Sequence, residues 1–269
     1  MRTVYKTVIV AVVVTGVAMT TAGCPNGDGS EGNGAGTLEE RNEEFRSALL
    51  SVDEQPAGTE IQAEISVPEA LELGMLGGAA PGVIVEPLAC LDYLSPLLER
   101  DEPTPGWIQL GARERGFFSA MAASVPGGVD LNDIRRALAG CEEATITLEA
   151  LDVTGRFSIT EYETAEVEGA QTLGLVVRTE FPDGGALERI APQLSCATLS
   201  NLIENASCGA GDGGVTVQDV SQALDNFSET HYFSYVASGD LMAETCELQP
   251  NLADEMALTL FRRASERGA

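Results

Sequence analysis

The sequence predicts a fold of mixed class, with strands and amphipathic helices in one chain, and three observations predict it. Ala144 to Leu151, Gly155 to Tyr162 and Thr172 to Phe181 are rich in Thr, Val, Ile and aromatic residues and are separated by turn signals, the pattern of a meander. Thr37 to Val52 opens with a capping signature, Thr37 with Glu40 three residues on, and places Phe45, Ala48, Leu49 and Val52 on one helical face. Ala253 to Arg267 closes the chain with Met256, Leu260 and Ala264 on one stripe and cations in its last turns.

Ahead of these elements stands a segment that sets an address. Arg2 and Lys6 make a positive start, Val8 to Met19 is an almost unbroken apolar run, and small residues lead to Thr21-Ala22-Gly23-Cys24. That order is a secretory signal. The run is about a dozen residues against the ~20 that a bilayer-spanning helix needs. Thr-Ala-Gly-Cys resembles the lipobox of bacterial lipoproteins, with Thr21 where Leu, Val or Ile is usual. The resemblance implies cleavage before Cys24, acylation of its sulfur, and a mature chain held on the extracytoplasmic face of the cell membrane. Two or three acyl chains anchor stably where one is marginal. Residues 1–23 are thus expected to be a lipoprotein signal peptide and 24–37 a Gly-rich tether, whose residues Pro25 to Gly36, PNGDGSEGNGAG, have a root-mean-square span of about 19 Å.

Removing residues 1–23 leaves thirteen basic groups against forty-two acidic ones, a formal charge of −29 compared with −27 for the whole chain. A surface this acidic repels phosphate backbones and anionic headgroups, so nucleic acid is excluded as a partner and membrane contact falls to the acyl anchor. Forty-four per cent apolar residues over this length supply a good core without disulfides. Besides Cys24 there are Cys90, Cys141, Cys196, Cys208 and Cys246, an odd number, so at most two bridges form and one thiol is left over. Their spacings and the single histidine, His231, argue against a zinc site, and no cofactor is implied.

Between the two terminal helices the remaining elements follow. Thr59 to Val67 alternates Ile61, Ala63, Ile65 and Val67 with polar residues, a strand with one wet face. Pro68 ends it, and Glu69 to Met75 is a short helical segment. Val83 to Glu86 reads as a strand, Pro87 to Glu99 as a helix, and Trp107 to Ala112 as a strand, while Gly116 to Ser124 gives no clear signal. GGVDLNDIRRAL at 127–138 and GGVTVQDVSQAL at 213–224 match at six of twelve positions; shared helix-start chemistry, with Asp130 and Thr216 as N-caps, explains this more simply than duplication. Asp212 and Gly213 suggest a calcium loop, but Cys208 and Ala210 would fall at its first and third ligand positions. A more helical insertion is expected at about 183–229, and Thr230 to Ala237 as a strand. All of residues 38–269 are read as one domain.

This arrangement resembles a group of actinobacterial lipoproteins and the extracellular sensor domains of mycobacterial-type Ser/Thr kinases. The matching residues are Val83-Ile84-Val85-Glu86-Pro87 with Cys90, Gly140-Cys141 entering Thr145-Ile146-Thr147, Glu168-Gly169-Ala170, Tyr232 to Gly239 and the final helix. The resemblance implies an α+β domain with an antiparallel β-sheet, helices packed on one face, and Cys90 paired with Cys141. The expectation for the insertion is a Cys196 to Cys208 bridge closing a short loop.

Chemistry is thin. His231 lies beside Tyr232 and Phe233 in a strand, where a packed or rim histidine is usual. No G-x-S-x-G stretch places a nucleophile, and the left-over thiol has no histidine near it in sequence. Acid pairs such as Asp101-Glu102 and Glu142-Glu143 are ordinary solvated surface. The expected function is therefore a non-enzymatic, sensor-like module of the cell envelope that uses its sheet to bind an envelope protein or small ligand. The alternative is a lipid or glycolipid carrier, and a secreted hydrolase stands further off.

Overall fold

The computed structural model describes residues 37–73, 83–91, 94, 98, 100–112, 117–148, 153–181 and 227–267. Among them are nine strands: β1 Glu60–Ser66, β2 Val83–Glu86, β3 Gly106–Ala112, β4 Phe117–Ser124, β5 Ala144–Leu148, β6 Val153–Tyr162, β7 Gln171–Phe181, β8 Phe227–Ser238 and β9 Leu241–Glu247. Four α-helices accompany them, α1 Leu38–Ala48, α2 Val67–Glu72, α3 Leu131–Ala137 and α4 Pro250–Arg267, with 3-10 turns at Leu88–Cys90 and Cys141–Glu143. The strands make one sheet, antiparallel at every pairing, in the order β1-β3-β4-β9-β8-β7-β6-β5-β2.

The α+β class with an antiparallel sheet is as the sequence resemblance implied. The two longest helices share one face: Phe45 and Ala48 of α1 and Met256, Leu260 and Ala264 of α4 pack on Phe118, Ala120, Ala122 and Ala243. The opposite face carries the larger core, with Ile108, Met121, Ile146, Phe157, Leu175 and Tyr235 buried under α2, α3 and the 3-10 turns. Helical cover is therefore on both sides, long on one and short on the other. Small residues explain the closeness of α4. Ala253, Ala257 and Ala264 face a strand of similarly small side chains, and Thr245 Oγ1 donates to the Ala253 carbonyl at 2.7 Å.

Local chemistry fixes the helix starts. Thr37 Oγ1 accepts from the Glu40 amide at 3.2 Å while the Thr37 amide donates to Glu40 Oε2 at 2.8 Å, the capping box read in the sequence. Asp130 caps α3 by accepting from the Asn132 amide at 2.9 Å. Its counterpart at Thr216 lies outside the described residues.

Several expectations are corrected. Gly116 to Ser124, without a clear signal, supplies β4, and β9 was not expected at all. Both are buried on two faces and rich in Ala, Ser, Thr and Met, so neither alternation nor β-branched content marks them. Gly239-Asp240 joins β8 to β9, since Ser238 pairs with Leu241 and Gly239 has φ 61°. That two-residue turn was the available hairpin signal. Of the helix expected from Pro87 to Glu99, the described residues show the 3-10 turn Leu88–Cys90 and, towards its end, a helical Leu98 whose amide donates to the Leu94 carbonyl at 3.0 Å. β8 starts at Phe227, three residues inside the stretch assigned to the insertion. The rest of that stretch, the signal peptide and the tether lie outside the described residues.

Candidate functional site

Of the residues singled out in the sequence, Cys90 and Cys141 form a disulfide between the two 3-10 turns, with Cα atoms 5.6 Å apart. It ties the start of β5 to the turn after β2 beneath the larger core, where both cysteines are buried. Cys24, Cys196 and Cys208 lie outside the described residues.

Along the chain no histidine stands near the left-over thiol, but in space one does. Cys246 is buried on β9, and His231 Nδ1 on the neighbouring β8 lies 3.8 Å from its Sγ. Strand pairing brings together residues fifteen positions apart. His231 is itself buried, and its Nε2 stands 3.1 Å from Glu229 Oε1, close enough for an ion pair yet off the hydrogen-bond direction. Ser119 of β4 is the register partner of Cys246, and its hydroxyl lies 3.5 Å from Glu244 Oε1. Glu229, His231, Cys246, Glu244 and Ser119 thus form a polar seam on one face of three adjacent strands. Burial pushes the Glu244 carboxyl up to about 7, with the Ser119 hydroxyl pulling the other way. The seam is closed to solvent except at its Glu229 end: Glu244 is 5% exposed and Cys246 not at all, whereas Glu229 is partly exposed. Among the described residues no group of three or more His, Cys, Asp or Glu is placed to hold a metal ion.

The surface open to a partner lies elsewhere. α1 and α4 lie over β3, β4, β9 and β8, and among the described residues no helix covers the same face of β6, β5 and β2. Strand alternation makes this visible in burial: along β6 Val153, Gly155, Phe157 and Ile159 are buried, while Thr154, Arg156 and Thr160 are exposed. Register then builds rows across the strands. Glu86 opposes Thr145, Thr145 opposes Arg156, and Arg156 opposes Glu180, so one row alternates acid, hydroxyl, cation, acid. Thr147 and Thr154 stand side by side in the next row with hydroxyls 3.0 Å apart. Arg178 sits diagonally from Arg156, and Ile84, 40% exposed, is the apolar group at the edge. The result is a polar, charge-balanced plate of hydroxyls and two guanidinium groups on an otherwise strongly acidic chain.

None of the plate residues was singled out from the sequence as a site. The alternation that places them outward was legible, but the absence of a helix over them was not.

No protein-family model matches the chain, and no curated protein matches it. Solved structures similar to it include the following two. One is the extracellular domain of PknH from Mycobacterium tuberculosis, at 11% identity and a TM-score of 0.44, covering 84% of this chain and 96% of that one. The other is an uncharacterised protein from Mycobacterium smegmatis, the Rv0999 ortholog, at 12% identity and a TM-score of 0.38, covering 82% and 95%. The first is a mycobacterial extracellular domain, the kind of protein that the sequence resemblance named. Among the described residues no helix is long and apolar enough to cross a membrane.

Proposed function

We propose that this chain is a cell-envelope lipoprotein whose folded domain is a non-enzymatic binding module, and that it meets an envelope protein through the open plate of β2, β5, β6 and β7. The observation that carries the reading is the outward set on that plate: Thr145, Thr154, Arg156, Thr160 and Arg178 are exposed on three adjacent paired strands. A sheet face that no helix covers among the described residues, while the rest of the same face lies under two helices, is available to a partner. Its chemistry favours a polar partner with carboxylates to meet Arg156 and Arg178, because a guanidinium binds carboxylates as a fork. The Cys90–Cys141 bridge supports an oxidising compartment, and Arg2 to Cys24 supports export and acylation.

The test is site-directed photocrosslinking in the native envelope. A crosslinker at Thr154 or Thr160 is expected to give one discrete adduct that is lost in the Arg156→Glu, Arg178→Glu double variant, while a crosslinker at the exposed Glu255 of α4 gives none. Equal adducts from plate and helix, or adducts indifferent to the arginine changes, overturn the reading.

A further inference from the structure

The polar seam buried on the opposite face has no part in that binding surface, and the inference drawn from it stands whatever the plate binds. Glu244 lies in the middle of β9, opposite Met121 on one side and Tyr235 on the other. β9 is a central strand. It is hydrogen-bonded to β4 and β8, and its other face supports α4 through Ala243 and Thr245.

Among the described residues the groups that face Glu244 come from three strands. Cys246 and Met242 share its side of β9. β4 contributes Ser119 and Met121, and β8 contributes Tyr235, with His231 and Glu229 further along. From the layer over this face, α2 and α3 turn Val67, Ala70, Leu131 and Ile134 inward. Of their own charges, Glu69 and Glu72 are exposed, Asp133 pairs with the exposed Arg136, and Arg135 pairs with Glu161 at 3.1 Å. Among the described residues the Ser119 hydroxyl, 3.5 Å away, is the polar group that acts on the Glu244 carboxyl, and no cation pairs with it. A carboxylate in such a place would be a buried charge with a single weak donor, whereas the neutral acid is an ordinary buried polar group.

We propose that Glu244 is a pH-operated latch: as the neutral acid it lets β9 sit closed between β4 and β8, and loss of its proton to solvent loosens β9 from those two strands and from α4 behind it. The charged form has to find water, and the route to water is an opening of the seam between β4, β9 and β8. Protonation state and local opening are then linked, with opening more frequent on the alkaline side of neutrality. Ser119 sets the threshold, because its hydroxyl favours the charged form.

Amide hydrogen exchange of the full chain at pH 6 and pH 8.5, corrected for intrinsic exchange rates, tests this. Opening of residues 241–247 is expected to rise on the order of tenfold at the higher pH. Glu244→Gln should abolish the rise, and Ser119→Ala should move its midpoint upward, a shift that a merely structural serine would not produce. Equal opening at both pH values, or a rise that survives in Glu244→Gln, overturns the proposal. Should Glu244→Gln fail to fold, the infrared band of a buried neutral carboxylic acid decides. In the parent chain it is expected at pH 6 and gone by pH 8.5, and its absence at pH 6 refutes the latch.

Discussion

Tyr162 of β6 donates a 2.8 Å hydrogen bond to Asp254 Oδ1 of α4, joining residues 92 positions apart. It marks the border of the open plate, the line at which α4 stops covering the sheet. Tyr232 of β8 meets the Tyr162 ring edge-on, with centroids 5.6 Å apart. The Tyr162 hydroxyl titrates well above its ordinary range, first because burial disfavours the phenolate and then because Asp254 is beside it.

Tyr162→Phe removes the donor and leaves a partly buried carboxylate without it. The expected loss is about 1–2 kcal/mol, read as a lower urea midpoint with an unchanged denaturant slope. A midpoint equal to the parent's would mean that the bond contributes nothing to holding α4.

The Cys90–Cys141 bridge closes a separation of 51 residues. Loop-closure entropy for that length is worth about 4 kcal/mol in the unfolded chain. The Cys90→Ser, Cys141→Ser double variant should therefore unfold at a markedly lower temperature. Parent protein treated with reductant should approach the same value, whereas a reduced parent that keeps its melting temperature contradicts the assignment.

Gly155 stands where β6 meets β7, and a Cβ there would lie 2.4 Å from the Glu180 carbonyl oxygen and 2.6 Å from the Phe181 ring. A backbone neighbour cannot step aside. Gly155→Ala is expected to cost roughly 1–3 kcal/mol, while Thr154→Ala on the exposed side of the same strand should stay within about 0.5 kcal/mol. Thermal melts of the two variants side by side measure the contrast.

Two carboxyls give the pH profile opposite slopes. Glu54 is held below its ordinary value, chiefly by the Ser51 hydroxyl against opposing burial, with help from Arg263, so the stability it adds is present above the usual carboxylate range and lost as pH falls. Glu244 is raised from 4.5 to about 7, so its contribution is fully present below 4.5 and lost as pH rises through 7, on the order of 3 kcal/mol across that window. Chemical denaturation between pH 4 and 9 should show stability falling from mildly acid to alkaline pH. Glu244→Gln should flatten that fall and leave the acid limb in place.

Cys24→Ser tests the anchor. The variant is expected to be exported without acylation and to leave the membrane fraction for the soluble one. A variant as firmly attached as the parent would end the lipoprotein reading.

The sequence by itself determined the elements whose signal is local. The Thr37–Glu40 capping box, the Asp130 cap, the alternation of β1 and β6 and the stripe of α4 each depend on residues within a few positions of one another, so the chain announces them. It also determined the charge, and with it the expectation that nucleic acid is no partner. What only the tertiary structure decided depends on neighbours distant in sequence. β4 and β9 are strands because the sheet needs them between β3 and β8, and, being buried on both faces, they carry no alternation to read. Cys246 meets His231 because β8 turns through Gly239-Asp240 and pairs back on itself. Among the described residues no helix covers the plate, because α4 lies over β4, β9 and β8 and reaches β6 through the Tyr162–Asp254 bond at the plate's border. Side-chain direction is a local property of the backbone, but whether something lies over that side chain is a property of the whole fold.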